Sequence, residues 1–174
     1  MKLQLESKQI PKEGKVIVGC SGGRDSMALV HALMNQRPDL KIIVAHIDHN
    51  LRPDTKTTAE FTKGMMMRWQ LDYVETKLKK PETGNIEEWG RQKRYEFLEK
   101  QMKKHKADLV ITAHHQDDDW ESMFLHFLRG TRVKGLSGMQ IMREEIFRPM
   151  LFTSRAQIDE YIIHHEIPFN DDPT

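Results

Sequence analysis

Six consecutive residues, Ser21-Gly22-Gly23-Arg24-Asp25-Ser26, combine a short glycine pair with hydroxyl, guanidinium and carboxylate groups. Two adjacent glycines let backbone approach a ligand closely, and two serine hydroxyls stand on either side of them as donors. Asp25 adds a carboxylate able to hold a magnesium ion on phosphate oxygens. Before this stretch runs the β-branched segment Val16-Ile17-Val18; after it, Met27, Leu29 and Val30 resume at helical spacing. The pattern therefore reads as strand, tight loop and helix start. Free N–H groups and the positive dipole end at such a helix start favour an anion. A phosphate loop of the Gly-Lys-Ser/Thr kind would carry a lysine here, and that lysine is absent. The plain alternative is a serine-glycine turn opening a core helix.

A second constellation is His114-His115 followed by Asp117-Asp118-Asp119 and Glu121. Two histidines and a carboxylate are a possible metal set. Adjacent residues of an extended segment point to opposite faces, however, so these histidines do not readily share one ion. The competing reading is an acidic helix N-terminus, which ordinary capping favours. Arg91 and Arg94 lie three apart on one helical face with Tyr95 beside them, either as an anion site or as a solvated basic stripe. His46, His49 and Arg52 fall at the end of an apolar run, where open α/β sheets bind ligands.

The elements that must position these groups follow from periodicity. Lys41 to Ile47 is a continuous apolar run, expected of a strand buried on both faces of a parallel sheet. The loop helix runs from about Ser26 to Asn35, before Pro38. Thr55 to Gln70 reads as a helix, Asp72 to Thr76 as a strand, and Ile86 to about Lys106 as a long helix capped by Asn85. Asp108 to Thr112 is the next strand, Ala113 to Asp119 the loop at its end, and Trp120 to Leu128 a helix. Ile146 to Pro149 is at best an edge strand, because Pro149 cannot donate to a ladder. Ser154 caps a last helix through about His165, and Met1 to Gly14 is a short helix or arm. Alternating strand and helix predicts an α/β fold: a doubly wound, mostly parallel sheet with helices on both faces. The pattern leaves the strand order open.

Composition narrows the class. The chain has 174 residues, enough for one domain with a real core. Lys and Arg number 27 against 26 Asp and Glu, so no global field draws the chain to nucleic acid or membrane. No apolar run is long enough to cross a bilayer and no signal-peptide core is present, so a cytoplasmic protein without membrane attachment is expected. The single cysteine, Cys20, excludes an internal disulfide and any multi-cysteine metal site. Met65-Met66-Met67 reads as packing rather than chemistry.

Strand, Ser-Gly-Gly-x-Asp-Ser, helix resembles the loop of the PP-loop ATP pyrophosphatases. Further blocks resemble, more narrowly, the N-terminal catalytic domain of the tRNA(Ile)-lysidine synthetases. They are Ala45-His46-Ile47-Asp48-His49-Asn50-Leu51-Arg52, then Gly90 to Tyr95 with Phe97-Leu98, then Ala113 to Asp118 with Glu121. Leu128-Arg129-Gly130 with Gly135-Leu136, Arg148-Pro149-Met150-Leu151 and Asp172-Pro173 also match. The chain departs from the family where Asp119 and Ser122 stand for glutamine and threonine, and where Gly90 stands for alanine.

The resemblance implies an adenine nucleotide alpha hydrolase-like, Rossmann-like fold and a two-step ligation. ATP adenylylates C2–O of the wobble cytidine of an isoleucine tRNA. The ε-amine of free lysine then displaces AMP to give lysidine. It implies that Ser21, Gly22, Gly23 and Ser26 cradle pyrophosphate, with Cys20, Arg24, Ala45 and His46 also at the nucleotide. Asp25 would orient Mg²⁺ or the leaving group. Asp117 and Asp118 would bind the lysine amine or take its proton, and Arg91 would offset anionic charge. His49, Arg52, Arg94, His114, His115 and Glu121 fall on the substrate side. The resemblance further implies one ATP-binding catalytic domain over 1–174, truncated relative to the complete enzyme. The alternatives are another PP-loop ATP pyrophosphatase acting on tRNA or a small molecule, and a non-catalytic ATP-binding domain on the same scaffold. Thiolases of this superfamily that carry sulfur or an iron–sulfur cluster use paired cysteines, which Cys20 alone cannot supply.

Overall fold

Alternate residues of the first strand serve two separate cores, and that division sets the architecture. In the computed structural model, which describes residues 1–48, 55–79, 85–128 and 138–170, strand β1 spans Lys15–Gly19. Val16 and Val18 face one core while Ile17 faces the other, as a period of two requires. The remaining strands are β2 (Lys41–Asp48), β3 (Asp72–Lys77), β4 (Leu109–Ile111), β5 (Met142–Arg143) and β6 (Ile146–Phe147). The helices are α1 (Arg24–Gln36), α2 (Thr55–Arg68), α3 (Ile86–His105), α4 (Gln116–Leu128) and α5 (Arg155–His165).

The sheet order is β3-β2-β1-β4-β6-β5, parallel throughout except for the β5–β6 hairpin. Against the face bearing Val16, Val18, Ile42 and Val44 pack the buried side chains of α1 and α5, with Met65 and Met66 of α2. Leu98 and Met102 of α3 cover Ile17, Ile43 and Val110 on the other face. Both faces are thus covered, as expected of a doubly wound sheet. Full burial of each such aliphatic side chain contributes about 1.5–3 kcal/mol. After β1 the chain winds outward through β2 and β3, then returns to place β4 on the other side of β1. The gap above the carboxyl ends of β1 and β4 is therefore the topological switch point, the crevice where such sheets bind ligands.

Two expected elements differ, and one alternative is decided. Helix α4 begins at Gln116, a turn before Trp120, so the acidic run belongs to its first turn rather than to a loop. The cause is local: Asp118 Oδ2 accepts the His115 N–H at 2.9 Å, and the Asp119 N–H reaches the His115 carbonyl at 3.3 Å. Ile146 and Phe147 are not at an edge, because β6 lies between β4 and β5. Pro149 falls just beyond that strand, so no ladder N–H is asked of it. Met1 to Gly14 forms no helix; it is an arm, with Leu3 and Ile10 buried and the Glu6 N–H on the Pro149 carbonyl at 2.9 Å. Of the methionine triplet, Met65 and Met66 are buried and Met67 is exposed. Among the described residues no helix is long and apolar enough to cross a membrane.

Helix α5 starts on a reciprocal cap. Ser154 Oγ accepts the Gln157 N–H at 3.3 Å, and Gln157 Oε1 accepts the Ser154 N–H at 2.8 Å. Replacing Ser154 with alanine is expected to cost about 0.5–2 kcal/mol. Urea titration should show a lower midpoint with an unchanged slope.

Candidate functional site

The loop between β1 and α1 is held open by its own hydrogen bonds. Gly22 has φ +89°, a conformation that L side chains rarely adopt, and its carbonyl accepts the Asn170 N–H at 3.0 Å. Ser21 Oγ accepts the Gly23 N–H at 3.2 Å and lies 3.2 Å from Ser26 Oγ, which donates to the Gly23 carbonyl at 2.9 Å. Gly23 is the N-cap of α1 and supplies no side chain, so no side-chain acceptor caps the first turn. Those N–H groups and the helix dipole favour an anion at this end. From β2, the Ala45 carbonyl accepts the Cys20 N–H at 3.0 Å, and His46 Nδ1 meets the Cys20 carbonyl at 2.9 Å. His46 is buried and stacks on Tyr73, so it fixes the loop from behind. Burial raises the Cys20 thiol pKa, which keeps it a neutral packing group.

This loop forms one wall of a cavity of about 530 Å³ above the switch point. Cys20, Ser21, Gly23, Arg24, Asp25 and Ser26 line it on one side, and Ala45 and Ile47 at the end of β2. Thr112, Ala113 and His114 contribute from the end of β4, Asp118 from α4, and Arg94 and Leu98 from α3. Arg24 also reaches sideways. Its guanidinium pairs with Asp159 at 2.9 Å and lies over the Phe169 ring, tying α1 to α5.

A second cavity, about 760 Å³, adjoins the first and shares Arg94 and His114 with it. Arg91, Tyr95, Arg143 and Arg148 line it together with Glu88 and Glu99. Arg91 therefore opens on the second cavity and Arg94 on both. Glu121 is exposed and lines neither, whereas its neighbour Ser122 lines the second. His49 and Arg52 lie outside the described residues, as do Arg129, Gly130, Gly135, Leu136, Asp172 and Pro173.

The two adjacent histidines do point apart. His114 turns to Thr112, with Nδ1 2.9 Å from the hydroxyl, and burial together with Arg148 pushes its pKa down to about 4. It is neutral at physiological pH. His115 turns to Asp25, with Nε2 3.6 Å from Oδ2 and 3.7 Å from Asp118 Oδ2. Burial opposes its charge, but the Asp25 and Asp118 carboxylates outweigh burial and hold its pKa above 6.5. Asp25 shifts the opposite way: burial would raise it, and His115, Arg155 and Arg24 together lower it. His115 Nδ1 accepts the Asp117 N–H at 3.2 Å when neutral, and faces Asp117 Oδ2 at 3.4 Å when protonated. Among the described residues no three His, Cys, Asp or Glu side chains are grouped to hold a metal ion. The two-histidine metal set is therefore not assembled, while Asp25 alone remains able to share a cation with phosphate oxygens.

This network predicts a pH dependence with a definite sign. A histidine whose folded pKa is raised contributes stability that is fully present below 6.5 and is lost as pH rises through the folded pKa. Thermal melts of the protein and of His115→Gln between pH 5.5 and 8.5 should differ most at the acid end and converge toward the alkaline end. A constant difference across that range would contradict the assignment.

A family model described as the PP-loop domain matches residues 1–174, the whole chain. The chain belongs to the PP-loop family. Among its relatives, the tRNA(Ile)-lysidine synthase of Clostridium tetani (strain Massachusetts / E88) is 37% identical, over 95% of this chain and 37% of that protein. The enzyme of the same name from Acinetobacter baylyi (strain ATCC 33305 / BD413 / ADP1) is 32% identical, over 99% of this chain and 38% of that protein. The PP-loop chain thus spans less than two-fifths of the length of these curated relatives. Among solved structures, the U34-tRNA thiolase NcsA from Methanococcus maripaludis with its [4Fe-4S] cluster superposes with a TM-score of 0.81. It is 16% identical, covering 98% of this chain and 63% of that one. An NH3-dependent NAD synthetase from Campylobacter jejuni reaches a TM-score of 0.60 at 19% identity, over 92% of this chain and 67% of that one. At those identities the likeness is one of fold.

Some of the PP-loop surroundings come from residues that sequence reasoning passed over. Thr62 of α2 packs under Gly22, and Asn170 closes the loop from the far end of the chain. Arg155 is the most consequential. Its Nη1 donates to both Asp25 oxygens at 3.0 and 2.9 Å and lies 3.3 Å from His115 Nε2. Its backbone N–H donates to Asp117 Oδ2 at 2.9 Å. One signal was available: a cation at the first position of a helix opposes the helix dipole and needs an anionic partner to compensate it.

The departures from the family pattern also have structural places. Asp119 accepts the Met139 N–H through Oδ1, and its carboxylate packs where a Gly138 β-carbon would sit. It anchors the segment that enters β5. A glutamine amide oxygen offers the same acceptor without the charge.

Proposed function

We propose that this PP-loop domain binds ATP in the smaller cavity and transfers its adenylyl group to C2–O of the wobble cytidine of an isoleucine tRNA. Pyrophosphate leaves, and the ε-amine of free lysine then attacks C2, forms the C–N bond and expels AMP, leaving lysidine. The observation that carries this reading is the match of nearly the whole chain to proteins named for that product, with the two adjoining cavities in support.

In this scheme Ser21, Gly23, Ser26 and the first turn of α1 hold the departing pyrophosphate by preorganised donors. Asp25 would hold Mg²⁺, which supplies neutralising charge on the phosphates. Ala45, Ile47 and Leu98 form the less polar part of the cavity suited to the adenine ring. Neutral His114 and cationic Arg94 stand between the two cavities, where the reacting cytidine would meet the α-phosphate. The lysine amine must lose a proton as the C–N bond forms, and Asp118, which lines the nucleotide cavity together with Asp25, is the carboxylate left for that role once Asp25 serves the phosphates.

The test is to incubate the protein with ATP, isoleucine tRNA and each of lysine, arginine and ornithine. AMP release should depend on tRNA and lysine together, and the tRNA should gain the mass of lysine less water. Equal turnover with ornithine or arginine, or AMP release without tRNA, would replace this reading with another PP-loop ATP pyrophosphatase. ATP binding without any turnover would favour the non-catalytic reading.

A further inference from the structure

The loop that reads as a phosphate site lacks the lysine that phosphate loops of the Gly-Lys-Ser/Thr kind carry, and a cation from another part of the chain stands in the same cavity. The geometry points to Arg155 as the cation that grips the β- and γ-phosphates of ATP, parked on Asp25 until the nucleotide arrives. This inference rests on the reading that the smaller cavity holds ATP.

Four observations carry it. Arg155 lines the cavity with Ser21, Gly23, Asp25 and Ser26, so its guanidinium sits beside the open first turn of α1. Of the other two arginines lining this cavity, Arg24 is turned onto Asp159 and Phe169, and Arg94 lies on the side shared with the second cavity. Arg155 is fixed at its base and adjustable at its tip. Its N–H is held by Asp117 and its helix by the Ser154–Gln157 cap, while its side chain is 44% exposed. Finally, only Nη1 is engaged, on Asp25 and near His115, so Nε and Nη2 have no partner among the described residues. A planar fork with spare donors suits two phosphate oxygens.

The contact with Asp25 then has a clear purpose. An isolated guanidinium at a helix N-terminus is unfavourable, and the Asp25 carboxylate compensates it in the empty cavity. A polyphosphate brings more negative charge to the same place than one carboxylate does. Arg155 needs only a side-chain rotation to exchange one anion for the other, which also frees the Asp25 carboxylate for a cation.

The experiment is calorimetric titration of the protein, Arg155→Met and Arg155→Lys with ATP, inorganic pyrophosphate and AMP, beside thermal melts. Arg155→Met is expected to weaken ATP and pyrophosphate about 10- to 100-fold while AMP changes less than about 3-fold. Arg155→Lys should recover part of the loss. Equal loss for all three ligands would mean a collapsed cavity and overturn the phosphate role, as would unchanged pyrophosphate affinity in a folded variant. If Arg155→Met does not fold, phenylglyoxal labelling of the unmodified protein decides. Arg155 should be protected by ATP and pyrophosphate but not by adenosine, and labelling unaffected by saturating ATP would overturn the role. Absence of ATP binding by the unmodified protein would instead remove the reading on which the role rests.

Discussion

Gly22→Ala is expected to remove measurable ATP binding and to lower the melting temperature at the same time. The backbone at Gly22 has φ +89°, and an added β-carbon would collide with Thr62 Oγ1 and come within 3.2 Å of Thr58 Cγ2. Thr62 cannot step aside cheaply, because it is fully buried and its hydroxyl donates to the Thr58 carbonyl at 2.8 Å. Backbone strain of this kind costs about 1–3 kcal/mol. Overpacking against Thr62 adds about 1–3 kcal/mol. The chain can relieve both by rotating the Gly22 peptide, which breaks the Asn170 N–H bond and turns the loop away from the cavity. A loss of at least about 100-fold in ATP affinity follows if the first-turn donors of α1 are displaced. Adding Thr62→Ala should recover part of the stability, since it removes the collision and leaves the φ strain. Calorimetry and a melting curve on the single and double variants check this. ATP affinity equal to that of the unmodified protein would detach the loop from nucleotide binding altogether.

The residues that could be read from the sequence are those whose role is local. Val16 to Val18 and Ile42 to Val44 are apolar because both sheet faces are covered, and their strands follow from that alone. Ser21 to Ser26 stand out because a strand, two glycines and a helix start are contiguous. The rest depends on distant partners. From the sequence Ile146 and Phe147 are expected at an edge, and their interior place comes from Val110 and Ile111, which offer a parallel ladder on one side, and Met142 and Arg143, which offer an antiparallel one on the other. The early start of α4 hangs on which way the Asp118 side chain turns. Arg91 and Arg94 look equivalent on one helical face, yet only Arg94 opens on both cavities, a difference set by how α3 lies on the sheet. Arg155 is 130 residues from Asp25 along the chain, and no spacing rule joins them. The fold thus follows from patterns within an element, whereas the cation and the loop closure come from contacts between elements.

Under the proposed ligation the same contacts set the two carboxylates apart, so that Asp118→Asn and Asp117→Asn should give unequal results. Asp117 does not line the nucleotide cavity; its Oδ2 accepts the Arg155 N–H and faces His115. Asparagine retains an oxygen for that N–H, so Asp117→Asn should fold and change lysidine formation less than about 10-fold, the effect of a displaced support rather than a lost reactant. Asp118 lines the cavity, and Oδ2 accepts the His115 N–H at 2.9 Å. Asparagine can keep that bond too, which preserves the start of α4 and the position of His115. It cannot take a proton from the lysine ammonium or balance its charge. In the proposed ligation, lysidine formation by Asp118→Asn should therefore fall by the ~10²–10⁴-fold typical of a lost general base, with ATP binding nearly unchanged and the melting temperature nearly unchanged at alkaline pH, where His115 is neutral. Single-turnover assays with pre-adenylylated tRNA would separate this step from nucleotide capture. Near-full activity of Asp118→Asn would reduce this carboxylate to a helix cap, and a larger loss in Asp117→Asn would reverse the division.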